Sequence, residues 1–347
     1  MAVQKAIVIQ APGVATVVND RPIPTLSDDS ILVKNVSVGL NPTDWKHIDG
    51  YNAVGTTVGC DFAGVIEAVG KDVKKSWKKG DRVCGMGHGS NALNPETGVF
   101  AEYIVVKGDL QLRIPDSLSF QDAASLGVGI NTVGQIASNL KLSSPADPVK
   151  GTPHILVYGG STATGTLAIQ YAKLSGYNVI ATCSPHSFDL VLGLGADIVY
   201  DYKDPKSAAE VHKYSDDKLK LAVDCIGSQA SGKFCEEVIS TSGGDYCTLV
   251  RVKLERPDIN YHWVLAYTCF GEPVKMGEIA IPALPEHKAN AEKFAVLAEG
   301  LLAEEKLKTH PSRVGKGGLN GVLDGLDLMR NGKVSGEKLV YNVEETS

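Results

Sequence analysis

Residues 159–165 read Gly-Gly-Ser-Thr-Ala-Thr-Gly and form the segment whose residue types most directly suggest chemistry. An apolar run typical of a buried strand precedes them and a helical pattern follows, which is the context that a dinucleotide-binding fingerprint requires. Small residues let the backbone approach a pyrophosphate, and a helix N-terminus offers unpaired amides with a partial positive charge. Thr162 and Ala163 replace glycines of the strict pattern, so an ordinary turn is the alternative. We predict a dinucleotide site here.

The segment after the next strand bears on the choice of cofactor. Residues 182–187 read Thr-Cys-Ser-Pro-His-Ser and contain no acid, whereas an NAD site places a carboxylate there to bond the ribose hydroxyls. A carboxylate would repel a 2′-phosphate, and Ser184, Ser187 and Tyr202 offer hydroxyl donors instead. These residues predict NADPH, although no Arg is present to clamp the phosphate. A capping turn that uses Ser184 at the start of the next helix is compatible with the same residues.

Alternating strands and helices must position these segments. Apolar strand patterns occur at 154–158, 178–183, 197–202, 220–226 and 246–250, with helical patterns at 165–175 and 188–194. Such alternation predicts a parallel sheet wound with helices. The first hundred residues instead show short strands between Gly, Pro, Asn and Asp, which is typical of a compact barrel. A long helix is predicted at 289–306, and the chain is expected to end in a strand near 338–341.

Length, charge and cysteine content exclude several classes of protein. The 347 residues suffice for two domains, and they carry a net charge of -6 with a pI near 5.8, which leaves no basic face for nucleic acid or an anionic membrane surface. No apolar stretch reaches the roughly 18 residues that span a bilayer, and we expect no signal peptide. Seven cysteines in apolar segments predict buried free thiols in a reducing compartment. We therefore expect a cytoplasmic protein.

Four segments together resemble the medium-chain dehydrogenase/reductase superfamily, in particular its quinone-oxidoreductase-like members. They are residues 39–46 (Gly-Leu-Asn-Pro-Thr-Asp-Trp-Lys), 59–65 (Gly-Cys-Asp-Phe-Ala-Gly-Val), 80–83 (Gly-Asp-Arg-Val) and 332–340 (Gly-Lys-Val-Ser-Gly-Glu-Lys-Leu-Val). The resemblance covers essentially the whole chain. It implies an α/β fold with a GroES-like β-barrel catalytic domain (1–125), a doubly wound Rossmann NADPH-binding domain (126–275) and a C-terminal segment (276–347) that completes the catalytic domain.

A narrower resemblance rests on residues 159–164 together with 181–186, which read Ala-Thr-Cys-Ser-Pro-His. These combinations resemble the trans-acting enoyl reductases of fungal polyketide synthases. That subgroup implies a monomeric, NADPH-dependent enzyme of secondary-metabolite biosynthesis. Its expected reaction is reduction of the C=C bond of an α,β-unsaturated polyketide acyl thioester, and its expected partner is the acyl carrier protein domain that carries the chain.

The sequence lacks the ligands by which zinc-dependent relatives bind the metal. Residues 42–44 lack the first cysteine, Cys60-Asp61 replaces the His-Glu pair, and no cysteine lies between Gly85 and Phe100. A structural zinc site needs four closely spaced ligands, so we predict no metal. His88 is interpreted as a surface or packing residue. Without a Lewis acid to polarise an alcohol or ketone, reduction of a C=C bond conjugated to a carbonyl is favoured.

The resemblance also implies which residues form the site. Lys46 is expected near the nicotinamide ribose, where its charge would orient the cofactor and offset the enolate, and Thr132 is expected to contact nicotinamide or substrate. The alternatives are a solvated barrel lysine and a helix cap. Asn41 and Asp44 are expected to hold the loop, and solvent water is the default proton donor. The implied cofactor contacts are Asp44, Trp45, Lys46, His47, Ser161, Thr162, Ala163, Thr164, Ser184, Pro185, His186, Ser187, Tyr202, Leu249, Val250 and Val340. The implied contacts of the acyl chain are Phe270, Gly271, Glu272, Pro273 and Val274.

Two other functions remain open at this point. The first is a quinone or 2-alkenal reductase that acts on free small molecules, and the second is an NADPH-binding sensor without catalysis. Carrier-bound substrates also need a docking surface for an acidic carrier protein. One basic cluster of the sequence, for which a solvated face is the favoured interpretation, comprises Lys71, Lys74, Lys75, Lys78 and Lys79.

Overall fold

The computed structural model describes residues 2–51 and 53–347. The chain divides into two compact units. Unit 1 contains the chain up to Asn131 together with Tyr267–Ser347, and unit 2 is Thr132–Ala266. Within the described residues no helix combines the length and the apolar character that a membrane span requires.

The strands are numbered in chain order. They are β1 (Val3–Ala11), β2 (Val14–Pro22), β3 (Ser30–Gly39), β4 (Asp61–Val69), β5 (Arg82–Met86), β6 (Tyr103–Lys107), β7 (Leu112–Arg113), β8 (His154–Tyr158), β9 (Asn178–Cys183), β10 (Ile198–Asp201), β11 (Leu221–Asp224), β12 (Gly244–Thr248), β13 (Ile259–Trp263), β14 (Val274–Met276), β15 (Ile279–Ile281), β16 (Ser312–Gly315) and β17 (Lys338–Asn342).

The α-helices follow the same numbering. They are α1 (Pro42–Gly50), α2 (Phe120–Ala123), α3 (Gly127–Asn139), α4 (Ala163–Leu174), α5 (Phe188–Gly193), α6 (Ser207–Tyr214), α7 (Gln229–Val238), α8 (Pro285–Ala303) and α9 (Gly318–Arg330). Short 3-10 helices lie at Gly108–Leu110, Pro185–Ser187, Ala266–Phe270 and Val343–Glu345.

Unit 1 is organised around β3. Its side chains Ile31, Val33 and Val38 are fully buried, and this strand pairs antiparallel with β4, β6 and β17. The complete sheet has the order β16-β17-β3-β4-β5-β7, with β6 also on β3. Strand β17 therefore joins the end of the chain to the sheet that the first hundred residues build. The predicted terminal strand is confirmed.

Unit 2 is a six-stranded parallel sheet in the order β10-β9-β8-β11-β12-β13. In chain order these strands read 3-2-1-4-5-6, which is the arrangement of a doubly wound dinucleotide-binding fold. In strand β8, Ile155, Leu156 and Val157 are each at most 1% exposed. Such an apolar run is expected of a parallel strand that is covered on both faces. The direction of winding reverses between β8 and β11, and ligands of such sheets bind at the carboxyl ends of the strands there.

Candidate cofactor and active site

The turn after β8 leads directly into α4. The Thr162 hydroxyl caps this helix, since its Oγ1 accepts from the Gly165 amide at 2.9 Å and donates to the Gly159 carbonyl at 2.9 Å. The backbone N–H groups of Ser161, Ala163 and Thr164 donate no hydrogen bond to any acceptor among the described residues. Three unpartnered amides at a helix N-terminus, at the switch point of the sheet, form the kind of site that binds a phosphate group.

Two glycines of this turn are required by geometry. Gly159 has φ +79°, a backbone conformation that residues other than glycine rarely adopt. A Cβ on Gly165 would lie 2.3 Å from the Gly159 carbonyl oxygen. Thr162, which stands where the strict motif has glycine, instead serves as the helix cap. The turn therefore keeps the close helix–strand packing of a dinucleotide site while departing from its consensus.

Gly165→Ala is expected to destabilise unit 2 by about 1–3 kcal/mol and to weaken dinucleotide binding, because the added methyl group forces the turn away from α4. Gly193→Ala in α5 is the matched control, since a Cβ there meets nothing within 4 Å and alanine favours a helix. Denaturant unfolding and cofactor titration of both variants measure the difference. Equal stability and equal affinity of the two variants would contradict the close packing described here.

The ends of β9 and β10 carry the hydroxyls expected at a 2′-phosphate. Cys183 and Asp201 are paired in the parallel register, so Ser184 and Tyr202 follow on adjacent strands. Ser184 is the N-cap residue of the 3-10 helix Pro185–Ser187, as the capping alternative expects, but its side chain makes no capping hydrogen bond. Pro185 and His186 are exposed, whereas Ser187 is buried. Leu249 and Val250 follow β12 at the same carboxyl edge.

Helix α1 presents Lys46 to solvent. Its Nζ lies 5.7 Å from the centroid of the Trp45 ring, and it forms no ion pair with any described residue. Asp44 and His47 on the same helix are each 1% exposed, so their side chains point into unit 1. Val340 is fully buried in β17 and pairs with Gly39 just before this helix. Residues 44–47 and 340, which are expected to contact the cofactor, thus lie close to one another in unit 1.

A buried polar network holds the loop before α1. The Asp44 carboxylate accepts from the Asn41 amide at 2.7 Å, and Asn41 Oδ1 accepts from Lys338 Nζ at 2.9 Å. Lys338 also forms an ion pair with Asp61. Burial, together with the nearby Asp61 charge, raises the pKa of Asp44 to about 7 even though the Asn41 bond opposes this. These contacts agree with the expected loop-holding role of Asn41 and Asp44.

A row of stacked rings leads away from α1. The Tyr267 hydroxyl lies 2.8 Å from Thr43 Oγ1, and its ring stacks on His47 at 5.4 Å and on His88 at 4.3 Å between centroids. His88 in turn lies nearly parallel to Phe270, with centroids 5.7 Å apart. His88 is 5% exposed, so of its two interpretations the packing residue is confirmed and the surface residue is wrong. Nothing in the sequence near these widely separated positions indicates that they meet.

An ion pair fixes the segment 270–274, which is expected to border the acyl chain. Phe270 and Val274 are buried. Glu272 forms an ion pair with Lys107 at 2.7 Å, and Lys107 also pairs with Asp29 at 2.9 Å. Burial alone would lower the pKa of Lys107, but hydrogen bonds to Glu272 and Asp29 outweigh it and raise that pKa. Phe270 and Glu272 line a pocket of about 140 Å³ in unit 1.

Thr132 lies inside α3, which begins at Gly127, and is 4% exposed. The helix-cap interpretation of this residue is therefore wrong.

All seven cysteines are free thiols and six are buried, as predicted from their apolar surroundings. Across residues 2–51 and 53–347, no three His, Cys, Asp or Glu side chains are grouped so that they could hold a metal ion.

Comparison with known proteins adds the family. Residues 27–116 match the alcohol dehydrogenase GroES-like domain and residues 163–244 match the zinc-binding dehydrogenase family. The chain is 53% identical to the trans-enoyl reductase TOXD of Cochliobolus carbonum over 85% of this chain and 100% of that protein. It is 43% identical to the trans-enoyl reductase resD of Aspergillus sclerotiorum over 98% of this chain and 100% of that protein.

Solved structures share the fold at low sequence identity. The CurK enoyl reductase is 18% identical with a TM-score of 0.78, and covers 98% of this chain and 99% of its own. The quinone oxidoreductase from Coxiella burnetii is 22% identical with a TM-score of 0.73, and covers 99% of this chain and 100% of its own. The expected GroES-like and Rossmann architecture is confirmed. The chain is an oxidoreductase that belongs to the medium-chain dehydrogenase/reductase superfamily, close to the fungal trans-enoyl reductases.

Proposed function

We propose that the protein is a trans-acting enoyl reductase that uses NADPH to reduce the C=C bond of an α,β-unsaturated polyketide acyl thioester on an acyl carrier protein. The observation that carries this proposal is the identity of 43–53% with trans-enoyl reductases along the full length of those proteins. We further propose a cytosolic monomer that acts in secondary-metabolite biosynthesis. The free thiols support a reducing compartment.

The residues of unit 2 fit a phosphorylated dinucleotide. The unpartnered amides of Ser161, Ala163 and Thr164 would hold the pyrophosphate. Ser184 and Tyr202 would hold the 2′-phosphate, and residues 182–187 contribute no competing carboxylate. When bound, NADPH supplies the hydride for the β-carbon of the enoyl group.

Lys46 and Thr132 are the side chains that we assign to the reaction. Reduction of an enoyl thioester builds negative charge on the thioester oxygen, and a preorganised cation or donor lowers the energy of that state. Lys46 is suited to this task because its ammonium group is exposed and is not neutralised by a carboxylate in the described structure. Thr132 would add a hydroxyl donor. The remaining proton, for the α-carbon, is assigned to solvent water.

The lysine cluster at residues 71–79 does not support carrier docking. Lys71 pairs with Asp28, Lys74 with Glu292, Lys75 with Glu299 and Lys79 with Glu67. Because four of the five charges are compensated within the chain, this face has little positive field to attract an acidic carrier protein. The interpretation as an ordinary solvated face fits these ion pairs, and the proposed carrier protein would dock elsewhere.

The function is tested by following NADPH oxidation at 340 nm with a crotonyl-type pantetheine thioester, a 2-alkenal and a quinone. We expect the thioester to give the highest kcat/KM and NADPH to be preferred over NADH by at least about tenfold, since the 2′-phosphate contacts together contribute at least one charge-assisted hydrogen bond. Faster turnover of the quinone or alkenal would assign the protein to reductases of free small molecules. Tight NADPH binding without oxidation by any acceptor would leave the sensor function.

A further inference from the structure

The pocket beside the segment 270–274 has a half-polar lining that the proposed reaction does not explain. Its wall includes Phe270 and His88, together with Ser27, Ser30 and Thr97. The pocket lies wholly in unit 1 and encloses about 140 Å³, which is room for several non-hydrogen atoms because a single water needs only about 10–15 Å³ on the same measure. The hydroxyls of Ser27, Ser30 and Thr97 already donate to acceptors within the chain, so a ligand is not needed to satisfy them.

The hydrogen bonds around His88 fix which of its ring nitrogens carries the proton. Asn91 Oδ1 accepts from the Leu93 amide at 3.0 Å, so Asn91 Nδ2 is the group that faces His88 Nδ1 at 3.1 Å. An amide NH2 can only donate, and His88 Nδ1 must therefore accept. The Thr97 hydroxyl donates to the His88 carbonyl at 2.8 Å and holds the same turn.

The proton of His88 is consequently on Nε2. Burial, and to a lesser degree the nearby His47, lowers the pKa of His88 to about 3, so the ring is neutral and carries a single N–H. Nε2 has no hydrogen-bond partner among the described residues, and it is not one of the completely buried, unpaired side-chain atoms. His88, which stacks on Tyr267 and on Phe270, thus carries one fixed N–H donor, and the residue lies in the wall of the pocket.

The charges near this pocket select against an anionic ligand. The ammonium of Lys107 is shared between Asp29 and Glu272, and Lys288 lies 3.6 Å from Asp29. Glu96 adds a further carboxylate to the lining. A neutral oxygen acceptor, such as a ketone or hydroxyl group, satisfies the donor without meeting repulsion.

We propose that this pocket binds an uncharged, oxygen-bearing part of the acyl chain, and that His88 Nε2–H donates a hydrogen bond to that oxygen. The proposal rests on the proposed enoyl reductase function and defines its substrate class further. It makes His88 a specificity-determining residue. Chains that carry a keto or hydroxyl oxygen at the matching distance from the enoyl group would be preferred over saturated chains of the same length.

The test compares 2-enoyl pantetheine thioesters of equal length in which one methylene, at successive positions, is replaced by a ketone. The wild type is expected to prefer one keto position over the all-carbon chain by about tenfold in kcat/KM. His88→Phe keeps the stacking and removes the donor, so this ratio should fall to about one, whereas His88→Gln keeps an N–H and should retain part of it. His154→Phe is the matched control, because His154 Nδ1 also faces an asparagine, Asn178, at 3.0 Å but lies outside the pocket. Its ratio should equal that of the wild type.

A second measurement uses the wild-type protein alone and is therefore independent of whether the His88 variants fold. In protein labelled with ¹⁵N-histidine, the His88 Nε2–H signal should shift downfield when a saturated keto-acyl pantetheine thioester is added. The absence of both a keto preference and this shift, in an enzyme that does reduce the all-carbon thioester, overturns the pocket proposal and leaves the enoyl reductase function intact. A preference that persists in His88→Phe overturns it as well. A wild-type enzyme that reduces no enoyl thioester overturns the proposed function, and this inference with it.

Discussion

Lys46→Met is expected to lower kcat/KM for an enoyl pantetheine thioester about a hundredfold, because removal of one preorganised group that stabilises a developing oxyanion costs roughly 10²–10³ in rate. The lysine is exposed on α1 and forms no ion pair in the described structure, so its charge is available to cofactor and substrate. The loss should appear in kcat as well as in kcat/KM, since the negative charge is largest in the transition state. Steady-state NADPH oxidation at 340 nm measures both constants.

The control for this prediction is Lys34→Met. Lys34 is exposed on β3 of the same unit and likewise forms no ion pair with a described residue, so it reports the general effect of losing one positive charge. Lys46→Arg distinguishes charge from shape and should recover part of kcat. If Lys46→Met changed only KM for NADPH, the lysine would act in cofactor binding alone, and if its activity matched Lys34→Met the assigned role would be wrong.

The sequence predicts the parallel sheet well because of how its strands are buried. Strands covered on both faces read as apolar runs, and the predicted strand at 178–183 has the bounds observed for β9. Strand β13 was not predicted, since its sequence Ile-Asn-Tyr-His-Trp lies at the sheet edge and only Ile259 is buried. An edge strand faces solvent on one side and therefore needs no apolar run.

Helix α9 is also absent from the sequence predictions, for a different reason. Gly318, Gly321 and Gly325 lie within it, and glycine disfavours a helix by about 1 kcal/mol each relative to alanine. A Cβ at Gly325 would lie 2.4 Å from the Tyr341 hydroxyl, so this glycine permits the close packing of α9 on β17. Tertiary packing thus overrides a poor local propensity, and sequence periodicity alone does not reveal it.

The candidate site was predictable where it is local and not where it depends on distant contacts. The turn at 159–165 and the acid-free end of β9 are continuous segments, and a single sequence shows them. The stacking of His47, Tyr267 and His88 joins positions up to 220 residues apart. No alternation or spacing rule connects such positions, and for this reason the sequence alone leaves both a surface and a packing role open for His88.

The largest expected effect on stability concerns the buried ion pair of Lys338 and Asp61. Lys338→Met should lower the free energy of unfolding by about 3–5 kcal/mol, because Asp61 is 0% exposed and its charge would be left without a counterion. Asn41 Oδ1 would also lose the donor that lies 2.9 Å away. Urea denaturation followed by linear extrapolation measures the change. Lys71→Met is the control, since Lys71 and Asp28 are 73% and 63% exposed and such pairs contribute at most about 1 kcal/mol.

The double variant Lys338→Met with Asp61→Asn separates the cost of an unpaired charge from the loss of packing. Asparagine removes the carboxylate charge while its Oδ1 still accepts from the Val128 amide, 2.6 Å from Asp61 Oδ1 in the wild type. Most of the lost stability should therefore return, because removal of both charges relieves the desolvation penalty that a single substitution leaves behind. A double variant as unstable as Lys338→Met would show instead that the lysine acts through its packing and its bond to Asn41. In that case the loop that presents α1, rather than the ion pair itself, would be the element that Lys338 stabilises.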